Sequence, residues 1–200
     1  MWSSLIIAAC FLLGIVAGRA DAWPVELDTD SVSLYLIYTL LFLIGLTAGA
    51  DHRTWSALRA SGFKLLLPPI SAVIGTFLGT IPVGLLLQNW TVGETVAVGF
   101  GLGYYSLSSV LIERIHGSEL AVIALLTNVL RELSTMIVAH PLRRWFGPFA
   151  PIASGGATSS DTTLPAILAA SGQQYAIPAM FNGIALTVLV PILVTLALSI

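Results

Sequence analysis

Residues 155–165 read Gly-Gly-Ala-Thr-Ser-Ser-Asp-Thr-Thr-Leu-Pro, which places one acid, Asp161, among small and hydroxyl-bearing residues inside a long apolar run. Paired glycines and a nearby proline disfavour one continuous helix, so the run from 150 to 170 is predicted to be broken or re-entrant. A carboxylate at that depth costs several kcal/mol unless it is hydrated or paired, and it is a functional residue by default. Asp161 is therefore the leading candidate for the working site.

The amino-acid composition indicates a protein embedded in lipid. The chain has 200 residues, of which 56% are hydrophobic and 9% charged, and its mean hydropathy is +0.94. A helix needs about 20 apolar residues to cross a bilayer, so this length allows at most about seven or eight crossings and leaves no room for a soluble catalytic domain. The single cysteine, Cys10, excludes an intrachain disulfide and argues against a metal cluster.

The candidate membrane segments are apolar runs bounded by polar or turn residues. They fall at about 2–19, 32–50, 64–87, 94–112, 119–140, 150–170 and 176–199. We predict an all-α integral membrane protein with about five full transmembrane helices and two oppositely oriented broken or re-entrant helices. It is expected to form one polytopic domain, with N-terminal spans over 1–95 and a core over 96–200 that holds broken segments at 96–112 and 150–170.

Charge in the connections predicts the orientation. The connection 19–31 is mainly acidic, whereas 51–64 carries three basic residues, so the second is expected in the cytoplasm. Arg143 and Arg144 also reach the cytoplasm if the run 94–112 enters and leaves from the outer face. We therefore expect a multi-pass protein of the prokaryotic inner membrane, with its N-terminus cytoplasmic and its C-terminus external.

The two broken segments resemble each other as variants of one unit. A shift of 55 aligns four pairs: Gly101 with Gly156, Ser106 with Asp161, Ser108 with Thr163, and Gly117 with Gly172. Each unit continues into a long apolar helix that carries an asparagine, Asn128 or Asn182. Units that enter from opposite faces form the inverted repeat of secondary transporters, with a site where they meet. The alternative is that both segments are ordinary packing helices rich in small residues.

Asp161 could exchange a proton for a cationic substrate. Burial favours the protonated carboxyl, whereas a bound cation favours the carboxylate, so the two ligands would compete. The alternative is that Asp161 caps a short helix beginning at Thr162.

Polar residues elsewhere supply further candidates. Glu132 follows Asn128 by four residues on one helix face and is expected to line a cavity with it, while Arg131 is expected to pair with another helix. A purely structural bridge between helices is the alternative for both charges. Asp51, at the end of the second run, is a secondary candidate whose default interpretation is a solvated helix end.

The expected substrate- and proton-binding residues are therefore Asp161, Thr158, Ser159, Ser160, Thr162, Thr163, Gly156, Ser106, Ser108, Tyr105, Asn128, Arg131, Glu132 and Asn182. No nucleophile triad, metal-ligand spacing or phosphate-binding loop is visible in the sequence, so we expect neither an enzyme nor a bound metal or cofactor.

Three stretches, at 99–108, 128–132 and 156–165, resemble the bacterial lysine exporter family. The resemblance covers nearly the whole chain and is strongest from 96 to 198. It implies export of L-lysine and its toxic analogue thialysine, driven by proton entry, with an intramembrane aspartate at Asp161. Full-length members carry a further N-terminal unit with a second intramembrane acid, which has no certain counterpart here. A short companion membrane subunit that supplies those spans is therefore expected, and a homo-oligomer is the alternative.

Other functions fit the residues less specifically. The substrate could be another amino acid, a polyamine or Na⁺, because the site favours positive charge more clearly than it selects size. The chain could instead be a non-transporting subunit of a hetero-oligomeric membrane complex. An intramembrane hydrolase is disfavoured, since no base accompanies Asp161.

Overall fold

The computed structural model describes residues 29–50, 62–87 and 89–200, together with Leu13 and Val16. All regular secondary structure within these ranges is helical, which confirms the predicted all-α fold class. Three described helical segments, 64–86, 118–146 and 173–198, are long and apolar enough to cross a membrane. Most of the predicted first run, and Asp51, lie outside the described residues. The chain divides into units 1–43 and 44–200, and the second contains both segments predicted to be broken.

The helices are α1 (Thr29–Ala50), α2 (Leu67–Leu86), α3 (Val92–Gly99), α4 (Tyr105–His116), α5 (Ser118–Phe146), α6 (Ala150–Gly155), α7 (Leu164–Ser171) and α8 (Ala176–Leu198). Single 3₁₀ turns occupy Gly62–Leu66, Gly156–Ser160 and Gln173–Tyr175. Each segment predicted to be broken thus consists of two short helices, α3 with α4 and α6 with α7, joined by a turn that is not α-helical.

The pair α3–α4 folds back on itself, and we call it hairpin 1. Helix α3 begins with a capping box, in which the Thr91 N–H donates to Glu94 Oε2 at 2.6 Å and the Glu94 N–H donates to Thr91 Oγ1 at 3.2 Å. The first of these bonds lowers the pKa of Glu94. At the end of α4, His116 Nδ1 lies 3.1 Å from Glu94 Oε1, so both ends of the hairpin lie together.

The pair α6–α7 closes in a similar way, and we call it hairpin 2. The Ser171 hydroxyl, at the end of α7, donates to the Pro148 carbonyl just before α6, at 3.0 Å. The rings of Phe149 and Tyr175 meet edge to face beside it, with centroids 5.4 Å apart. The open end of hairpin 2 is therefore fixed by one hydrogen bond and one aromatic contact.

Helix α5 sets the two hairpins in opposite directions. Its 29 residues span about 43 Å, more than the hydrocarbon core of a bilayer, and it joins the open end of hairpin 1 to the open end of hairpin 2. Helix α8 returns to the open end of hairpin 1. A Cβ on Gly93, at the start of α3, would lie 2.7 Å from the carbonyl oxygen of Ala197, near the end of α8. The hairpins therefore insert from opposite ends of α5 and α8, while their placement relative to a membrane stays a prediction.

The largest hydrophobic core lies between hairpin 1 and the long helices α5 and α8. Small and branched side chains dominate it, and its fully buried members include Ala97, Leu102, Ile112, Ala124, Leu186 and Val190. Alanines at the contacts let the helix backbones approach closely, as is usual between helices in membranes. Hairpin 1 is consequently held along its length, with its tip directed toward hairpin 2.

Candidate functional site

The tips of the two hairpins touch through their backbones. The Ala157 N–H of hairpin 2 donates to the Leu102 carbonyl of hairpin 1 at 2.9 Å. Both turns have backbone angles that favour glycine: φ is +92° at Gly103 and +63° at Gly156. Leu102 also has a positive φ, of +47°. A Cβ on Gly156 would overlap the Leu102 carbonyl. We call the two turns, residues 100–104 and 156–163, the crossing.

Asn128 supports the turn of hairpin 1 from α5. Its side-chain amide donates to the carbonyls of Val98, at 3.0 Å, and Ala124, at 2.8 Å, while its oxygen accepts the Gly103 N–H at 2.8 Å. Asn128 is 1% exposed, so its oxygen satisfies the Gly103 N–H within the core, and its amide adds a second hydrogen bond to the Val98 carbonyl, which also accepts the Gly101 N–H at 3.3 Å. It therefore supports the turn from within the core, and does not line a cavity with Glu132 as the sequence had indicated.

Asn182 supports hairpin 2 in the same way from α8. Its amide donates to the Ile152 carbonyl at 3.1 Å, the Gly156 carbonyl at 2.9 Å and the Ser159 hydroxyl at 2.9 Å. Each asparagine donates to a carbonyl 30 residues before it in the chain, Asn128 to Val98 and Asn182 to Ile152. The two units therefore share one pattern of hydrogen bonds between a long helix and a hairpin.

The register of the repeat at the breaks differs from the one read from the sequence. Asn128 and Asn182, like Val98 and Ile152, are related by a shift of 54 rather than 55. The shift of 55 fits only the closing glycines, Gly117 and Gly172, because hairpin 2 carries one residue more between its turn and its end.

The two asparagines differ in the hydrogen bonding of their side-chain oxygens. In the register of 54, Ala157 corresponds to Gly103, whose N–H is bound by Asn128. The Ala157 N–H is instead used in the bond to Leu102, and the side-chain oxygen of Asn182 is left buried with no hydrogen-bond partner among the described residues. The crossing bond thus breaks the symmetry of the repeat.

Asp161 lies at the end of the 3₁₀ turn of hairpin 2, and its side chain is exposed. Its Oδ1 accepts the Thr162 N–H at 2.5 Å and the Thr162 hydroxyl at 3.3 Å. It does not cap a helix, because α7 begins at Leu164 with Thr163 as its N-cap. Burial of Asp161 was expected and is not found among the described residues, where its side chain is exposed.

Most hydroxyls near Asp161 face inward. Thr158 and Ser159 are buried and donate to the carbonyls of Gly155 and Gly156, at 2.8 and 2.7 Å. Thr163 contacts Thr158 at 3.3 Å, and Ser159 also reaches the Ala179 carbonyl. These three side chains shape the turn, and they do not present their hydroxyls at the surface.

The remaining candidates divide by exposure. Thr162 and Ser106 are exposed, whereas Ser160 and Tyr105 are half-buried. Ser108 is buried and donates to the Tyr104 carbonyl at 2.9 Å. The exposed candidates are therefore one carboxylate and one hydroxyl in the crossing, Asp161 and Thr162, and the Ser106 hydroxyl at the start of α4. Tyr104, which the sequence had not singled out, is half-buried at the end of the turn of hairpin 1.

Arg131 reaches two other helices, as the sequence predicted. Its Nε donates to the Ser154 carbonyl at 3.0 Å and its Nη2 to the Ala153 carbonyl at 3.3 Å, both in α6, while Nη1 donates to Thr76 Oγ1 in α2 at 3.1 Å. It lines a cleft of about 370 Å³ between α2, α5 and α6. Glu132 is half-buried and has no hydrogen bond or ion pair within the described ranges. No sequence signal indicated Thr76 or Ser154.

Two broken hairpins that extend from opposite ends of the long helices and meet near an exposed acid define a helical membrane protein with an arrangement that secondary transporters also use. The family model described as "Lysine exporter LysO" matches residues 8–198, and the chain belongs to this family.

Two relatives support the assignment. The "Lysine exporter LysO" of Escherichia coli K12 is 25% identical over 96% of this chain and 62% of its own length, so this chain spans about three-fifths of that protein. The "Putative lysine exporter" of Haemophilus influenzae Rd is 27% identical over 91% of each protein. No solved structure matches the chain.

The first prediction concerns the close approach at the crossing. Both Gly156 and Gly147 have backbones that other residues rarely adopt, so alanine at either costs about 1–3 kcal/mol of strain. Only at Gly156 does the new Cβ also meet the facing turn, whereas the space at Gly147 is open. Gly156→Ala should therefore destabilise the protein by about a further 1–3 kcal/mol, measured by unfolding in detergent. Equal losses for the two variants would contradict the close packing described here.

The second prediction concerns the support given by Asn128. Asn128→Leu leaves the buried Gly103 N–H without its partner, at a cost of about 1–3 kcal/mol, and removes one of the hydrogen bonds to the Val98 carbonyl. We expect a clear fall in the melting temperature of the purified protein. Thr127→Ala, on the exposed face of the same helix, serves as the control and should change the melting temperature little. An unchanged melting temperature in Asn128→Leu would show that the turn does not depend on this side chain.

Proposed function

We propose that this chain forms the core of a secondary transporter that exports L-lysine, and analogues such as thialysine, in exchange for protons. The observation that carries the proposal is the position of Asp161, an exposed carboxylate at the point where two broken hairpins from opposite ends of the fold touch. Membership of the lysine exporter family supports lysine as the substrate.

Asp161 binds one of two cations in turn. Its carboxylate accepts hydrogen bonds from a lysine ammonium group or holds a proton, and the two states exclude each other. Protonation from the outer side releases lysine, and loss of that proton to the cytoplasm restores the carboxylate for the next lysine. One proton entering per lysine leaving is the simplest exchange that this single site supports.

The neighbouring residues divide into binding and positioning roles. Thr162, Ser106, Ser160 and Tyr105 offer hydroxyls at or near the surface of the crossing. Buried residues hold the turns that carry this surface: Gly156, Thr158, Ser159, Thr163, Ser108, Asn128 and Asn182. Glu132 lies half-buried on α5 without an ion pair among the described residues and is a second acid available to the proton pathway.

The orientation of the chain in the membrane follows from the distribution of basic residues. The end of α5 that carries Arg143 and Arg144 is assigned to the cytoplasm by the positive-inside rule. The open end of hairpin 1 and the C-terminus of α8 then face outward across the inner membrane, with the N-terminus of the chain in the cytoplasm.

A further membrane unit covers Asp161 in this proposal. An acid and non-helical backbone at membrane depth require surrounding protein or a water-filled cavity, and in this chain Asp161 is exposed. A companion membrane subunit that contributes a second acid meets that requirement, and a second copy of this chain is the competing arrangement.

The third prediction tests Asp161. In everted membrane vesicles, Asp161→Asn should reduce proton-driven lysine uptake to background, because an amide can neither hold the exchanged proton nor neutralise an ammonium group. The matched control is Glu119→Gln, the same change at an exposed acid in the first turn of α5, which should transport as the unmodified protein does. Normal transport by a folded Asp161→Asn protein would remove this residue from the mechanism.

The fourth prediction tests the companion subunit. The chain purified alone and placed in proteoliposomes should show no proton-driven lysine flux, while membranes that contain its native partners should show it. Cross-linking through a cysteine at Thr162, in a Cys10→Ser background, should then trap a second polypeptide beside the crossing. Lysine transport by the purified chain alone would refute the requirement for a companion.

A further inference from the structure

Arg131 is a cation near the middle of α5 whose hydrogen bonds all go to uncharged groups. Its partners are two backbone carbonyls of α6 and the hydroxyl of Thr76. No carboxylate lies within ion-pair distance of it among the described residues. A charged side chain at that position in a membrane-spanning helix is costly, and such groups mark substrate or ion pathways when no structural counter-ion is present.

The guanidinium retains unused donors. Arginine carries five N–H groups, of which Ser154, Ala153 and Thr76 take one each from Nε, Nη2 and Nη1. One N–H therefore remains on each of the two terminal nitrogens. A carboxylate is the group that a pair of guanidinium N–H donors recognises best, because its two oxygens match their spacing and its charge matches theirs.

The space beside Arg131 suits a small solute. The depression beside Arg131 has a volume of about 370 Å³ and is wide open within this chain, so a solute can reach the guanidinium directly. Its other lining residues all have small side chains: Ser71, Ala72, Gly75, Thr76, Ala153 and Ser154. Hydroxyls and a cation on small-residue walls fit a compact, polar anion and offer little to an apolar one.

The Arg131 side chain lies beside the start of the short turn that ends at Asp161. The Arg131 side chain holds the carbonyls at the end of α6 and lies beside Gly156, where a Cβ would be 3.6 Å from Nε. Asp161 closes the 3₁₀ turn that starts at Gly156. A positive group and a negative group thus flank one short turn, an arrangement suited to a molecule that carries both an ammonium and a carboxylate.

We propose that Arg131 binds the α-carboxylate of the exported amino acid and thereby selects α-amino acids over diamines. The inference rests on the proposed transport of lysine and adds the basis of its specificity. The N-terminus of α7 is a weaker candidate for the same role, since Pro165 removes one of its free N–H groups. Binding at Arg131 leaves the side-chain ammonium of lysine for Asp161.

The test compares L-lysine with two relatives that lack the negative charge, lysinamide and 1,5-diaminopentane. Each competes for radiolabelled lysine transport in membrane vesicles that contain the intact transporter. The unmodified protein should prefer lysine over 1,5-diaminopentane by at least about tenfold. Arg131→Gln should weaken competition by lysine about 10- to 100-fold and change competition by the diamine less than about threefold, which removes the preference.

Thr135→Val is the matched control. Thr135 lies one turn after Arg131, is buried, and contacts the Ser154 hydroxyl at 2.7 Å, so its replacement loosens the same contact between α5 and α6 without touching the guanidinium. It should leave the ratio of lysine to diamine unchanged. Arg131→Lys keeps the positive charge but loses the paired N–H donors of the guanidinium, and it should give an intermediate ratio of lysine to diamine competition.

Each outcome decides the assignment. A folded Arg131→Gln protein that keeps the lysine preference overturns it, as does an unmodified transporter that binds lysine and diamine equally. Failure of both Arg131 variants to fold, while Thr135→Val folds, also overturns it, since Arg131 would then serve α6 alone. Absence of lysine transport in the unmodified complex instead refutes the proposed function itself.

Discussion

The hydrogen bond from the Ala157 N–H to the Leu102 carbonyl is the contact on which the arrangement of the core depends. Two interrupted helices leave several backbone groups without helical partners, and lipid cannot satisfy them. The fold resolves this by bringing the interruptions together and by placing one asparagine behind each. Asn128 and Asn182 need a helix that packs beside each hairpin, which α5 and α8 provide. The positions of the two interrupted helices and of α5 and α8 therefore follow from the need to give hydrogen-bond partners to the backbone groups of two short turns.

That solution is not symmetric. The repeat supplies two asparagines, but the bond between the turns uses an N–H from hairpin 2 only, and the oxygen of Asn182 is left without a partner in the described chain. A buried, unpaired amide oxygen costs about 1–3 kcal/mol. The asymmetry is thus a direct consequence of the contact between the hairpins: an inverted repeat joined by a single bond of this kind cannot satisfy both halves equally.

The sequence predicted those features that arise from local preference. The glycines at 99–103 and at 155–156, with Pro165, indicated both breaks, and the apolar runs at 119–140 and 176–199 indicated the two long helices. The roles of Asn128 and Arg131 depend on which carbonyls the ends of α3 and α6 leave free, and that is decided only when the hairpins pack. Exposure of Asp161 was missed for a similar reason, since an apolar run indicates depth in a membrane and does not show which side chains the chain itself covers.

The interruption between α6 and α7 explains the positions of both charged groups of the candidate site, Arg131 and Asp161. Helix α6 ends at Gly155, and its last carbonyls become the acceptors that hold Arg131. The 3₁₀ turn that follows ends at Asp161, whose side chain is exposed, before α7 begins at Leu164. A continuous helix over 150–170 would use those carbonyls internally and leave the guanidinium with the Thr76 hydroxyl of α2 as its partner among the described residues. The discontinuity thus provides the support for a cation and the position of an anion together, which is what a site for a zwitterionic solute requires.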